Sequence, residues 1–128
     1  MLQAQAAFSG FSVSDLKAAK TFYTEKLGLK IVDETMGLTF ALPGGGKVFA
    51  YEKPNHQPAS YTMLNFVVSD IDAAVDQLKA QGITCEQYEG MQQDENGIAR
   101  GTTSGQGPDI AWFRDPSGNI LSVLQDAA

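Results

Sequence analysis

The chain has 128 residues, 43% of them apolar, with 9 Lys and Arg set against 15 Asp and Glu for a net charge of −6. That is one domain's worth of chain, able to bury a core without disulfides or structural metals. The lack of any Lys/Arg cluster argues against a nucleic-acid backbone as partner. No apolar run is long enough to cross a bilayer, and the start "MLQAQAAFSG" lacks the basic opening and apolar stretch of a secretion signal. The single cysteine, Cys85, can form no internal disulfide, so a reducing cytoplasm is the expected setting and a small buried apolar role the expected use. An acidic balance suits a cationic ligand, although it serves solubility first.

In chain order, "FSVSDLKAAKTFYTEKLG" (11–28) reads as a strand running into a helix, with Ser14 as N-cap and Gly28 as the stop. Leu16, Ala19, Phe22, Tyr23 and Leu27 share one face of that helix. "LKIVDE" (29–34) is the next strand, and "TFALPGGGKVFAY" (39–51) is a hairpin turned by Pro and Gly. "EKPNHQPAS" (52–60), with two prolines, is a linker, and its His56, the only histidine, is expected to be solvated. "VSDIDAAVDQLKAQG" (68–82) is a second strand-to-helix passage. There Ser69 and Asp72 suggest a capping box, Gly82 ends the helix, and Ile71, Ala74, Val75 and Leu78 form its apolar stripe. "ITCEQY" (83–88) reads as a strand, "QQDENG" (92–97) as a solvated loop, "IARGTT" (98–103) as a further short strand, and "WFRDPSGNILSVL" (112–124) as a closing hairpin.

These pieces repeat. "FVVSDIDAA" (66–74) lies on "FSVSDLKAA" (11–19) at an offset of 55, and the two hairpins align at an offset of 73, with Phe40 on Phe113, Pro43 on Pro116 and Gly45 on Gly118. The fold expected is α+β, a single domain of two β-α-β-β-β modules, about 5–52 and 61–126, joined by a linker at 53–60.

Strand alternation divides the modules into two faces. Phe11, Val13, Val48, Ala50, Leu64, Phe66, Val68, Leu121 and Val123 make an apolar set suited to lying under helices. The opposite set, which includes Phe8, Gly10, Ser12, Lys47, Phe49, Tyr51, Met63, Asn65, Val67, Ile120, Ser122 and Leu124, mixes aromatic and polar groups and suits a lined cavity.

Other motifs carry less. "GGG" (44–46) is a hairpin turn without the Lys-Ser/Thr that a phosphate loop needs, and "GQGP" (105–108) precedes a strand, unlike a dinucleotide loop. One linker histidine supplies no Ser-His-Asp set, and Arg100 and Arg114 are expected at the surface.

The order of elements, with "VSDL" and "LGL" in the first module and "DPSGN" in the second, resembles the vicinal oxygen chelate superfamily over roughly residues 5–126. That group includes glyoxalase I, extradiol dioxygenases and the fosfomycin- and bleomycin-resistance proteins. The resemblance implies strands curling into an open, barrel-like sheet around a pocket, helices on the convex face, and a homodimer. It also implies a divalent metal held by one side chain from the first and one from the last strand of each module, seven residues before the "VSD" aspartate and seven after the "DP" aspartate. In this sequence those positions are Phe8, Phe49, Met63 and Ser122. Phenyl groups have no donor, a thioether is too soft for an oxygen-rich Mg or Mn site, and a neutral hydroxyl is a poor ligand alone.

The expected function is therefore a metal-free, cofactor-free binder of a small apolar or aromatic molecule, with no catalytic residue assigned. Phe8, Phe49, Tyr51, Met63 and Trp112 would be the apolar or stacking walls, and Thr39, Asn65 and Ser122 the polar anchors. Trp112 matches a position that in the fosfomycin-resistance relatives faces the substrate. Two other readings stand beside it: a metal-dependent glyoxalase- or dioxygenase-type enzyme, and an interaction module with a vestigial pocket.

Overall fold

The computed structural model describes residues 1–126, and the chain divides into two compact units, one ending at Pro58 and the other beginning at Ala59. The division lies between Pro58 and Ala59, in the stretch that carries Pro54 and Pro58.

The first unit runs β1 (Ser9–Val13), α1 (Leu16–Thr21), a π-helical turn over Phe22–Lys26, β2 (Lys30–Asp33), β3 (Leu38–Ala41) and β4 (Lys47–Glu52). Its sheet has the order β1-β4-β3-β2, with β1 parallel to β4 and the other pairs antiparallel. The core gathers on Tyr23, which is wholly buried and whose ring lies 5.1–5.4 Å from those of Phe11, Phe22 and Phe40. Aromatic pairs at this spacing contribute about 0.5–1.5 kcal/mol beyond area burial. Val13, Val48 and Ala50 complete the helix-bearing face, as their alternation requires. Gly28, at φ 76°, takes the left-handed conformation that ends the helical segment.

The second unit runs β5 (Thr62–Val67), α2 (Ile71–Ala80), β6 (Ala99–Arg100), α3 (Gly101–Ser104), β7 (Asp109–Arg114) and β8 (Ile120–Gln125), with sheet order β5-β8-β7-β6 and β5 parallel to β8. Ile71, Ala74, Val75 and Leu78 of α2 are all buried, as are Ala111, Phe113, Leu121 and Val123 of the sheet. At about 1.5–3 kcal/mol for each large apolar side chain, this layer is the main stabilising term of the unit. The fold is thus α+β, two open four-stranded sheets each begun by a β-α passage.

Three sequence expectations need correction. The N-caps are Asp15 and Asp70, whose carboxylates accept from the Ala18 and Ala73 backbone N–H at 3.1 Å, so Ser14 and Ser69 lie one residue outside the helices. Both residue types can cap; the one whose backbone is extended just before the first turn does so. Residues 83–88 form no regular strand. They meet β7 through one backbone bond, Glu86 N–H to the Trp112 carbonyl at 2.7 Å, with Arg114 Nε donating to Glu86 at 2.7 Å. The strand expected at 98–103 shrinks to Ala99–Arg100, because Gly101 passes so close to Pro108 that an added Cβ would lie 2.3 Å from its carbonyl oxygen. There the chain turns into α3.

Arg100 clamps this irregular edge. Its guanidinium donates twice to Asp72 of α2 (2.7 and 3.2 Å) and once to Asp94 (3.2 Å), with Asp109 at 3.8 Å. The expected solvated loop at 92–97 is therefore an organised one. Asp94 Oδ1 accepts from the backbone of Asn96 and Ile98, and Gln93 donates to the carbonyls of Glu86 and Gly97 while accepting from Tyr88 N–H. The hydrogen bond from Arg100 holds the Asp72 carboxyl below its ordinary range. For Asp94, burial opposes ionisation, but the Ile98 and Asn96 N–H groups and Arg100 outweigh it and lower the pKa.

Two outcomes follow in urea unfolding. Asp70→Ala costs about 1 kcal/mol, whereas Ser69→Ala stays within about 0.5 kcal/mol. Arg100→Met is less stable than the parent at neutral pH. Because both aspartates have lowered folded-state pKa values, that difference is full above the ordinary aspartate pKa of about 3.9 and closes as pH falls through the lowered values.

Candidate functional site

The residues singled out from the sequence fall into two sets, one on each unit, and in both they lie on the sheet face away from the helix. On the first unit, strand register places Gly10, Phe49 and Thr39 in one row across β1, β4 and β3, with Ser12 opposite Tyr51 beside it. Phe49 and Tyr51 stack at 5.9 Å with planes 20° apart, and Phe8 meets Phe49 edge-on at 6.4 Å. Phe8 is 69% and Tyr51 39% exposed, so this aromatic strip is open on its outer side. Gly37 lies directly against the strip. A Cβ there would sit 2.9 Å from the Phe49 ring and 2.5 Å from the Ala50 carbonyl oxygen, at a φ of 153°. His56 is half-buried, and its Nδ1 lies 2.6 Å from Ser12 Oγ, which fastens the linker to β1. Its expected place in solvent is thereby corrected: the turn closed by His56 N–H on the Lys53 carbonyl carries the ring back to the sheet.

On the second unit the matching row is Asn65, Ser122 and Trp112, across β5, β8 and β7. The offsets of 55 and 73 map this row onto Gly10, Phe49 and Thr39. Ser122 is fully buried and its hydroxyl donates to Asn65 Oδ1 at 2.5 Å. Trp112 Nε1 donates to Thr62 Oγ1 at 3.0 Å, and Tyr88 packs edge-on against the indole at 5.6 Å. Burial pushes the Tyr88 phenol pKa up.

Thr62 had no place among the sequence candidates. Regular alternation from Asn65 gives the row position to Met63, but the register shifts between Thr62 and Leu64, so Thr62 pairs with Ile120 and Met63 falls in the bulge. Only the tertiary pairing reveals such a slip.

Beside Trp112 the second unit opens into a groove of about 770 Å³. Trp112 and Ile110 of β7 line it, with Gln92, Asp94, Arg100 and Thr103 among the facing residues. Of these facing residues the sequence singled out only Arg100, weighed as a contact for an anionic ligand and set at the surface; the others gave no signal, since a polar loop has no period until its hydrogen bonds are known.

The chemistry of the four metal positions is now concrete. Phe8 and Phe49 meet each other, Met63 sits at a bulge, and the Ser122 hydroxyl is committed to Asn65. Among the described residues there is no group of three or more His, Cys, Asp or Glu side chains placed to hold a metal ion. The residues at these positions do not fit the metal that the resemblance implies. Among the described residues no helix is long and apolar enough to cross a membrane.

A comparison with curated protein sequences yields no match. Solved structures of similar fold are numerous. TnmS3, an antibiotic binding protein from Streptomyces sp. CB03234, aligns with a TM-score of 0.66 at 24% identity, covering 98% of this chain and 100% of its own. The genomically encoded fosfomycin resistance protein FosX from Listeria monocytogenes aligns with a TM-score of 0.70 at 14% identity, covering 98% and 96%. A glyoxalase family protein from Enterococcus faecalis gives 0.68 at 22% identity, covering 94% and 96%. With identities this low, the likeness establishes the fold. The family model named Glyoxalase/Bleomycin resistance protein/Dioxygenase superfamily matches residues 5–123, and the chain belongs to that superfamily.

Proposed function

We propose that the protein binds a small apolar or aromatic molecule without a metal ion. The observation that carries this reading is the makeup of the four positions at which the family resemblance implies metal ligands. They hold two phenyl rings, a thioether and a buried hydroxyl already donating to Asn65. Removing the metal chemistry leaves two rows whose other members are aromatic rings and hydrogen-bonding anchors, and such surfaces suit a planar ligand. Phe8, Phe49, Tyr51 and Thr39 serve as contacts on the first unit, and Met63, Asn65, Ser122 and Trp112 on the second.

Binding is favoured over turnover because the sequence face that carries these residues has Lys47 as its one charged group and offers no carboxylate as general base. The description of TnmS3 as an antibiotic binding protein supports a binding role within this fold. The protein is proposed to work as a cytoplasmic homodimer. Val32 on β2 and Val67 on β5, 47% and 70% exposed, are apolar positions that a second copy could cover.

Elemental analysis of the purified, untagged protein, before and after incubation with Zn, Ni, Mn and Fe(II), is expected to find far less than one metal per chain. A stoichiometric, tightly held metal with chelator-sensitive turnover would instead place the enzyme reading first. In a small-molecule screen read by the fluorescence of the single Trp112, planar apolar compounds are expected to quench or shift the emission. Measured by calorimetry, which needs no tryptophan, Phe49→Ala and Trp112→Phe should each weaken binding roughly 5- to 30-fold, the equivalent of losing about 1–2 kcal/mol of ring contact. A screen without hits, alongside a stable complex with another protein, would move the chain to the interaction class.

A further inference from the structure

The groove beside Trp112 has an electrostatic character that its own lining does not disclose. Asp94 and Arg100 both line it and would cancel if taken alone. The charge of Arg100, however, is already met by carboxylates. Its guanidinium donates to Asp72 through two nitrogens and to Asp94 through one, and the Asp109 carboxylate stands 3.8 Å away. The only other cation held at this edge by a described contact is Lys79, whose ammonium donates to Asn96 of the same loop. Glu86 is matched by Arg114 outside this cluster. Three carboxylates thus face two cations, and three of the five N–H donors of the guanidinium are turned to Asp72 and Asp94. The groove wall adds the indole of Trp112, whose N–H is used by Thr62, so the ring offers a ligand its π surface and no donor.

We infer that this groove selects planar aromatic ligands that carry a positive charge. The inference rests on the reading of the Trp112 face as a ligand surface and narrows the class of ligand. An aromatic cation gains cation–π contact with the indole and attraction from the excess of carboxylate over cation at this edge, whereas an anion of the same shape meets Asp94 and a guanidinium whose charge is already balanced by carboxylates. Gln92 and Thr103, exposed at the groove, add neutral hydrogen-bonding groups for polar substituents.

The test uses three probes of one shape and different charge: N-methylacridinium, acridine and acridine-9-carboxylate, at mildly alkaline pH, where the middle one is neutral. Affinity for the intact protein is measured by calorimetry and by Trp112 emission. The cation is expected to bind about two- to fivefold more tightly than the neutral ring, with the anion weakest. Added salt should shrink the spread. Asp94→Asn keeps an acceptor for the Asn96 and Ile98 N–H groups while removing the charge, so within this variant the ratio of cation to neutral-ring affinity should fall to about one, a ratio that a change of groove shape common to both probes leaves alone. Thr103→Lys, at an exposed position that demands nothing of the core, should weaken the cation and favour the anion. Equal affinities for all three probes, or no response to either variant, would overturn the charge selection while leaving metal-free binding intact. Binding of other planar compounds that leaves Trp112 emission unchanged would overturn the groove as the site.

Discussion

Everything on the candidate site passes through one kind of contact, the parallel pairing of the first and last strands of each module. β1 lies beside β4, and β5 beside β8, with the helix and two antiparallel strands filling the connection between them. Parallel neighbours require a long crossover, and a helix that packs on the sheet supplies it while covering one face. The other face is left to display one side chain in two from each strand. A slip of one residue in this pairing would send Phe49 or Ser122 into the core and bring Val48 or Leu121 out, so burial of the apolar set keeps the site residues facing outward.

The two modules solve the same backbone problem with different chemistry. In both hairpins the first turn residue donates to the carbonyl four positions on and accepts from the N–H three positions on: Leu42 with Gly46 and Gly45, Asp115 with Asn119 and Gly118. Module one leaves the turn at that. Module two adds side chains, with the buried Asp115 accepting from Ser117 and Asn119 N–H and from the Asn119 amide. The edge of each sheet differs in the same way. Module one closes with the four-residue strand β2, which pairs with β3 along its length apart from one register shift between Ile31 and Asp33. In module two a two-residue strand and a loop tied by Gln93, Asp94 and Arg100 take that place, and the space beside this side-chain scaffold is the groove at Trp112. The departure from the repeat and the groove at Trp112 have one origin.

The rows opposite the helices carry residues unlike the metal ligands that the family resemblance implies, and the strands accommodate them locally. A buried hydroxyl costs free energy unless it finds a partner, and Ser122 finds Asn65, the residue next to it in the row. Phe49 occupies the corresponding place in module one, where Gly37 leaves room for its ring. Each replacement is satisfied locally, by hydrogen bond or by ring contact, so neither demands a change in the strands that carry it.

The sequence by itself determined the duplication, the α+β modules, the helix stripes and the core face, all of which rest on periodicity or on matched spacing that one chain read against itself displays. The four positions matched to metal ligands came from the family resemblance, and the sequence supplied only which residues stand there. Tertiary structure alone decided the rest. It chose Asp15 and Asp70 over their serine neighbours as caps, because capping depends on which residue adopts the extended backbone before the first turn. It drew His56 onto Ser12 and Arg100 onto Asp72, partners 44 and 28 residues apart. It also put Thr62 beside Trp112 through a bulge. Alternation and spacing are local and survive in the linear text. A register slip, an ion-pair clamp and a loop folded around one glutamine depend on what the chain meets when it returns, and no period in the sequence records that meeting.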